Sequence, residues 1–484
     1  MIGQSRIKKN IVYQTAYQIL NTCVPLITSP YLARVLGAEK QGVFSYTQSI
    51  VNYFTLFAML GVVNYGSRTI SECGDNREKR SITFWSIYSF QVMLSVIALI
   101  GYLVYVFIIC KENIIISALQ SFYLLGCLVD VSWLFFGVEK FDITVKRSVI
   151  VRLLSLAAIL LCVKSTDDLW IYTIIMASNA FISNLILFRC LGKIVDFKAI
   201  KRVKFASIKE HIKPIIVLFI PLLAMSVYHI MDKTMLGMMS TYEQTGYYYN
   251  ADKIINIPIG IITGVGTVML PRMTALNDSR KEHEGNQLFN VSLELTIMAA
   301  VAMACGIAAV SKEFTPIFFG AGFTPCVSLI IVLAPVLVIK SLSQVARMQV
   351  LIPQHKETIF IESVVAGAIV NFIVNFIMIN KYGAMGAVIG TLTAEAVTCF
   401  WQYIKIRDIV PYRKTMLKSS VYIIIGLIMI VVVRMSKMLG FSGLFGLLIE
   451  ILIGGLTFIL LCGVYWIVTK NPLLRLILKK NNKI

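Results

Sequence analysis

The most informative side chains in this sequence are charged residues inside long apolar segments. Residues 215 to 273 hold two such segments, and an acid and a base, Asp232 and Lys233, lie side by side in the first. Another acid, Glu395, lies near the middle of a later apolar segment. A charge at the centre of a bilayer costs about 2.5 to 3.5 kcal/mol on insertion scales, so these groups must face protein or water. In such places charged groups hold ligands or ions, or they pair with one another.

The elements that position these residues are predicted to be membrane-spanning helices. The chain has 484 residues, of which 57% are hydrophobic and 14% charged, and its mean hydropathy is +0.79. This composition is typical of integral membrane proteins and lies outside the soluble range. Apolar runs of about 20 residues predict roughly fourteen spans, at 11–33, 43–66, 82–109, 114–137, 143–163, 169–188, 214–238, 246–270, 288–310, 325–350, 359–379, 384–404, 419–435 and 444–468. The sequence therefore predicts an all-α polytopic membrane protein.

The net charge of +20 comes from Lys and Arg residues concentrated in alternate loops, of which the longest is 189–213. By the positive-inside rule this pattern places both termini and that loop in the cytoplasm, and it disfavours nucleic acid as the partner. The ten Cys residues form no CxxC pair, the four His residues lack metal-ligand spacing, and no phosphate-binding loop of the Walker type occurs. We therefore expect no metal, no cofactor and no direct use of ATP.

The chain also contains the signature of an internal duplication. A Leu-Gly pair at 36 and 37 precedes Gly42 much as the pair at 236 and 237 precedes Gly246. Beyond these glycines Ile50, Asn52 and Arg68 recur at the spacing of Ile254, Asn256 and Arg272. Transporters are often built from such repeats. The predicted organisation is an N-terminal lobe (1–192), a basic linker (193–213), a C-terminal lobe (214–404) and two additional helices with a basic tail (405–484).

Two further charged residues lie at corresponding places in the predicted lobes. Asp130 precedes a Glu-Lys dipeptide at the interval that separates Arg347 from a Lys-Glu dipeptide. An ion pair between the lobes is one interpretation; a local partner for Asp130 on a neighbouring helix is the other. Arg34, at the end of the first span, is either an interfacial anchor or a base at the rim of a cavity.

Several motifs resemble one known family: ARVLGAEKQGVFSYTQSIVNYF from 33, WLFFGVEKF from 133, MDKTMLG from 231, VLIPQHKETIFIES from 350 and YGAMGAVIGTLTAE from 382. The family is that of the Wzx-type polysaccharide repeat-unit flippases, in the multidrug/oligosaccharidyl-lipid/polysaccharide exporter superfamily. The resemblance implies two six-helix lobes around a central cavity, with two further helices. It also implies translocation of oligosaccharides carried on undecaprenyl pyrophosphate across the bacterial cytoplasmic membrane by alternating access, for capsule, O-antigen or similar polysaccharide assembly.

The resemblance gives the charged residues two kinds of role. A diphosphate headgroup needs cationic partners, and the implied headgroup-binding residues are Arg34 and Lys233. The resemblance assigns Asp130, Asp232 and Glu395 to coupling or to the cavity, and Arg347 joins them through its predicted correspondence with Asp130 in the repeat. The implied partners are the lipid-linked glycan, membrane lipids, a polysaccharide polymerase, and a proton or sodium ion.

Two rival functions are open at this stage. An ion-coupled small-molecule or drug extruder would have the same fold, because fold separates substrates poorly. A polytopic polysaccharide polymerase is the other, although such an enzyme would usually carry a long external loop with paired acids or bases, and the predicted external loops here are short. We therefore expect a transporter rather than an enzyme.

Overall fold

The computed structural model describes residues 2–279, 281–471 and 473, and every regular element in those residues is helical. The all-α prediction is confirmed. The helices are α1 (Ile2–Met59), α2 (Val62–Glu72), α3 (Arg77–Val104), α4 (Ile114–Leu128), α5 (Ser132–Gly137), α6 (Phe141–Cys162), α7 (Leu169–Arg189), α8 (Phe205–Met239), α9 (Tyr242–Asp278), α10 (Glu282–Phe318), α11 (Cys326–Ala346), α12 (Glu357–Tyr382), α13 (Ala384–Lys405), α14 (Tyr412–Ser436) and α15 (Gly443–Thr469).

Ten helices among the described residues are long and apolar enough to cross a membrane, and α9, which bends by 43°, makes eleven. The first of the ten, Val24–Glu72, includes the end of the predicted span 11–33 and all of the predicted span 43–66, and a non-helical conformation at Gly37 separates the two within α1. The remaining two predicted spans are α6, which carries three basic residues, and α8, whose side chains are described only in part. Each of the fourteen predicted spans thus corresponds to a helix or to half of α1.

The chain divides into two compact units, residues 1–246 and 247–484, which we call unit 1 and unit 2. The division lies near the start of α9. It groups α8 with unit 1, whereas the sequence interpretation begins the second lobe at residue 214. The predicted duplication and lobe boundaries therefore stay predictions.

The core of unit 1 forms around Trp133, which is fully buried on α5 and stacks on Phe84 of α3 at 5.2 Å. The predicted basic linker packs against this core. Its apolar residues Ile194 and Val195 are buried, and the indole nitrogen of Trp85 donates to the backbone carbonyl of its Asp196 at 2.9 Å. The linker lysines and arginines are exposed, as expected for a solvated charge run.

The core of unit 2 is an apolar cluster of α10, α11, α13, α14 and α15, and it includes the fully buried Phe289 and Tyr422. A polar group fastens the last two helices to α10. Tyr422 of α14 donates to Glu294 of α10 at 2.8 Å, and the indole of Trp466 on α15 donates to the Tyr422 hydroxyl at 2.9 Å. The two additional helices are therefore integral to unit 2.

The structure corrects one detail of the predicted repeat. Gly37 has φ 72°, a left-handed value that glycine adopts freely, and it separates the two halves of α1. Gly237 lies inside α8 and packs against the ring of Tyr46, so it serves close packing instead. The matching Leu-Gly pairs are therefore not structurally equivalent. Beyond them, Gly42 and Gly246 each lie four residues into the helical segment that follows a break, and the repeat itself stays a prediction.

Candidate substrate and coupling site

The acid and base of α8 differ in their surroundings. Asp232 is buried, with 2% of its surface exposed, whereas Lys233 is half-buried. Consecutive residues of a helix point about 100° apart, so the two side chains are directed to different neighbours. Asp232 acts electrostatically on the phenol of Tyr53, and the hydroxyl of Thr234 donates to Ser49 at 2.8 Å. This part of α8 therefore packs its polar face on the second half of α1.

Arg34 lies on the first half of α1, three residues before the break at Gly37, and its side chain is exposed. It belongs to unit 1 together with Asp232 and Lys233. This exposure suits both interpretations of the residue, since an interfacial anchor and a base at a cavity rim are each accessible.

The backbones of α1 and α9 meet at a pair of glycines. A Cβ atom on Gly42 would overlap the carbonyl oxygen of Tyr242, and one on Gly246 would overlap the carbonyl oxygen of Ala38. Small residues permit such close helix contacts in membrane proteins. The two glycines that correspond in the predicted repeat therefore lie at one helix crossing within unit 1, and a larger residue at either place would require the backbone to shift.

Beside this crossing lies a cleft of about 950 Å³. Its chemically distinctive lining is made of three tyrosines, three acids and one lysine: Tyr46, Tyr105, Tyr242, Glu39, Glu112, Glu243 and Lys111. The hydroxyl of Tyr242 donates to Glu112 at 3.0 Å. Tyrosine offers an apolar ring and a polar tip, and carboxylates accept hydrogen bonds from hydroxyl groups. With an excess of acids, the cleft suits a neutral polyhydroxylated ligand better than an anion.

Asp130 has a structural role that the sequence left open. It lies in the break between α4 and α5, where its carboxylate accepts the backbone N–H of Ser132 at 2.9 Å. The amide of Gln91 donates to the carbonyls of Cys127 and Asp130, both at 2.8 Å. Backbone groups released within a membrane helix need such partners. Asp130 therefore stabilises a broken span, and its predicted part in coupling stays a prediction.

The structure shifts by one residue the sequence alignment that matched Asp130 with Arg347. Equivalent turns follow in the two units: Glu139 and His355 both have positive φ, of 57° and 54°. In each turn the next residue, Lys140 or Lys356, donates its backbone N–H to a carbonyl five residues earlier. When the two units are aligned on these turns, Asp130 corresponds to Ala346, the residue before Arg347. The ion pair suggested between the two residues would join the two units and stays a prediction.

Glu395 has a partner that the sequence analysis missed. The carboxylate of Glu395, on α13, lies 3.1 Å from the ammonium of Lys340, on α11. Only 4% and 15% of the two side chains are exposed, so this is a buried ion pair. The signal for Lys340 was present in the sequence, because it is one of two charged residues, with Arg347, inside the predicted span 325–350. Its partner could not be named, because the pairing depends on how α11 packs against α13.

Arg347 begins a π-helical segment, Arg347–Leu351, which extends α11. Its guanidinium donates to Gln344 at 2.7 Å and lies over the ring of Phe360, 5.1 Å from the centroid. Segments of this type occur often at functional sites. Arg347 and the Lys340–Glu395 pair all belong to unit 2, and Arg347 lies two turns after Lys340 along the chain.

A further polar cluster lies between α12 and α13. Asn375 donates to Asn371 at 3.2 Å, and both are fully buried. On the facing helix Thr391 is buried and hydrogen-bonds to Tyr248 at 2.9 Å. Amides and hydroxyls buried in this way can coordinate a cation or stabilise helix packing.

Comparison with known proteins assigns the chain. The family model described as "Polysaccharide biosynthesis protein" matches residues 7–277, more than half of the length. The chain belongs to this family. The assignment confirms the resemblance that the motifs indicate. The chain is also 24% identical over 393 residues to the "Putative O-antigen transporter" of Escherichia coli (strain K12), across 80% of this chain and 94% of the relative.

Solved structures establish the fold of this family member. The lipid II flippase MurJ in its inward closed conformation matches 96% of this chain and 99% of its own, with a TM-score of 0.76 and 15% identity. An inward-facing multidrug resistance MATE family transporter of the MOP superfamily matches 80% and 95%, with a TM-score of 0.61 and 13% identity. The chain is thus a multi-pass membrane protein with the fold of these transporters.

Proposed function

We propose that this chain is a flippase, not an enzyme, and that it translocates oligosaccharide repeat units linked to undecaprenyl pyrophosphate across the bacterial cytoplasmic membrane. Membership of the polysaccharide biosynthesis family supports the pathway, and the name of the Escherichia coli relative supports a transport role. The structural observation that carries the proposal is the buried acid and half-buried base of α8. Both termini are proposed to be cytoplasmic, from the charge pattern.

Lys233 and Arg34 are the proposed headgroup-binding bases. A diphosphate that leaves water needs charge-assisted hydrogen bonds to cations, and such bonds contribute about 1.5 to 3 kcal/mol each. The two bases fall in different predicted lobes but in the same compact unit, unit 1, and the proposal is that they act together on one headgroup. The acidic, tyrosine-lined cleft would disfavour the diphosphate and suit the neutral sugars instead. Binding would shift the conformational population if the contacts differ between the two access states.

The proposed coupling element is the Lys340–Glu395 pair. A buried pair is neutral as a whole, and protonation of the glutamate would leave the lysine as an uncompensated charge. Proton or sodium exchange at this pair, at Asp232 or at the asparagine cluster could link an ion gradient to alternating access. A polysaccharide polymerase that accepts the translocated unit is the proposed functional partner.

Lys233→Ala tests the headgroup role. In cells that depend on this chain for surface polysaccharide, we expect export to fall roughly ten- to a hundredfold, the equivalent of one lost charge-assisted bond. Lys233→Arg should lose less, since it keeps the charge but changes the hydrogen-bond geometry. Lys281→Ala is the matched control, because Lys281 is exposed and paired with Glu284 at 3.1 Å. Protein in the membrane would be quantified beside export.

A double variant separates binding from structure. If Lys233 only compensates Asp232, then Asp232→Asn combined with Lys233→Gln should restore the export lost in the single variants. Such recovery at normal membrane levels would contradict headgroup binding. Small-molecule extrusion, the competing function of this fold, predicts instead that loss of the chain raises sensitivity to toxic compounds and leaves surface polysaccharide intact.

A further inference from the structure

A third group of charges surrounds a buried acid on the last helix, α15. Glu450 is eight residues into α15, in an otherwise apolar stretch, and 5% of its surface is exposed. It lines a cavity of about 500 Å³ whose other walls are formed mainly by apolar side chains of α9, α10, α14 and α15, such as Pro258, Phe314, Met429 and Phe458. A carboxylate in these surroundings is expensive unless its charge is compensated.

Two charged groups act on Glu450 from the edge of this cavity, where Phe314 and Val433, close to them in the sequence, line its wall. Lys437, in the turn between α14 and α15, forms an ion pair with Glu313 of α10. Both Glu313 and Lys437 act electrostatically on the Glu450 carboxyl. The walls that α9 and α14 contribute to the cavity are apolar. Among the described residues, the charged groups that act on Glu450 are therefore one acid and one base.

The hydrogen bonding of this cluster is incomplete. Within the described residues, the Oε2 atoms of Glu313 and Glu450 are both buried, and neither accepts a hydrogen bond. Two carboxylates and one ammonium leave one negative charge uncompensated. Glu450 is buried, whereas 23% of the Glu313 side chain and 35% of the Lys437 side chain are exposed. A buried carboxylate beside a second acid does not stay ionised without its own counter-charge, because like charges repel strongly in a poorly polarisable medium.

We propose that Glu313, Lys437 and Glu450 form a binding site for one exchangeable proton. The proton is taken from water, binds to a carboxylate oxygen of the pair of glutamates and makes the cluster neutral. Lys437 keeps its own proton and holds the other carboxylate as its counter-ion. The site is distinct from Asp232 and from the Lys340–Glu395 pair, and its existence does not depend on the transported substrate.

Infrared difference spectroscopy of the full chain in lipid nanodiscs tests the proposal at neutral pH. The readout is the C=O stretching band of protonated carboxyl groups, which ionised carboxylates lack. Glu450→Gln should remove one such band from the wild-type spectrum. Glu313→Gln should also remove one, because Lys437 then compensates Glu450 and no proton is needed. Glu72→Gln, at an exposed acid of unit 1, is the control and should leave the protonated bands unchanged.

Two more variants test the charge count in the other direction. Lys437→Gln leaves two acids without a base and should add a protonated band. Glu313→Gln combined with Lys437→Gln leaves one acid and should restore the wild-type number. The proposal is overturned if Glu450→Gln keeps every band, if Glu313→Gln differs from Glu450→Gln, or if the band follows sodium concentration at constant pH. None of these measurements requires transport, so they stand apart from the test of the flippase function.

Discussion

Removing one member of the buried Lys340–Glu395 pair should destabilise the protein strongly. Glu395→Gln leaves the Lys340 ammonium with 15% of its side chain exposed and without its carboxylate at 3.1 Å. Loss of one partner from a buried ion pair costs about 3 to 5 kcal/mol, since the remaining charge is desolvated. We therefore expect the free energy of unfolding, measured by denaturant titration in bilayers or detergent, to fall by about that amount.

The double replacement Lys340→Met with Glu395→Leu should behave differently. When both charges are replaced by apolar groups of similar volume, stability typically changes little or rises by about 1 to 4 kcal/mol. The double variant should therefore fold at least nearly as well as the wild type. If the pair takes part in coupling, this stable variant will still fail to export polysaccharide. Normal export by the double variant would show that the pair is structural and would refute its proposed role.

The matched control is the ion pair of Arg68 and Glu72, which has the same 3.1 Å separation but side chains that are 76% and 62% exposed. Because water screens exposed pairs, their contribution is typically about 0 to 1 kcal/mol. Glu72→Gln should therefore change stability by less than about 1 kcal/mol. If Glu395→Gln costs no more than this control, the argument from burial fails.

Three other predictions concern packing, pH and topology. Gly42→Ala should destabilise the protein by about 1 to 3 kcal/mol through overpacking, because a Cβ would overlap the Tyr242 carbonyl oxygen. Gly455→Ala is the control, since a Cβ there meets nothing within 4 Å. Equal unfolding curves for the two variants would contradict this prediction. Burial lowers the pKa of His211, which precedes the predicted span of α8. The neutral imidazole therefore contributes its full stability above the ordinary histidine pKa of about 6.5, and this contribution is lost as the pH falls through the lower pKa of the folded state. His211→Gln should reduce the loss of stability at acidic pH, and an unchanged dependence of stability on pH would contradict this assignment. Reporter fusions after Ala206 and Tyr242 should show opposite sidedness, and the same sidedness would contradict the proposed topology.

The fold class and the positions of the buried charges could be predicted from the sequence, because both follow from local energetics. An apolar run of about 20 residues can satisfy its backbone in a membrane only as a helix. A charge inside such a run carries a free-energy cost wherever the helix packs. Asp232 and Glu395 can therefore be recognised as candidate site residues before any neighbour is known. The break at Gly37 escaped prediction, since glycine is also used for close packing, as at Gly237.

The partners of these charges depend on contacts between residues distant in sequence, and only the folded structure contains them. Lys340 and Glu395 meet because α11 packs against α13, and Lys437 reaches Glu313 because the turn after α14 lies beside α10. Asp130 was expected to have a partner on another helix, yet its carboxylate accepts the backbone N–H of Ser132 within its own span. The type of a side chain and its tendency to be buried follow from the local sequence. A pair forms only when two helices pack so that a donor and an acceptor atom lie about 3 Å apart, and this depends on the tertiary structure.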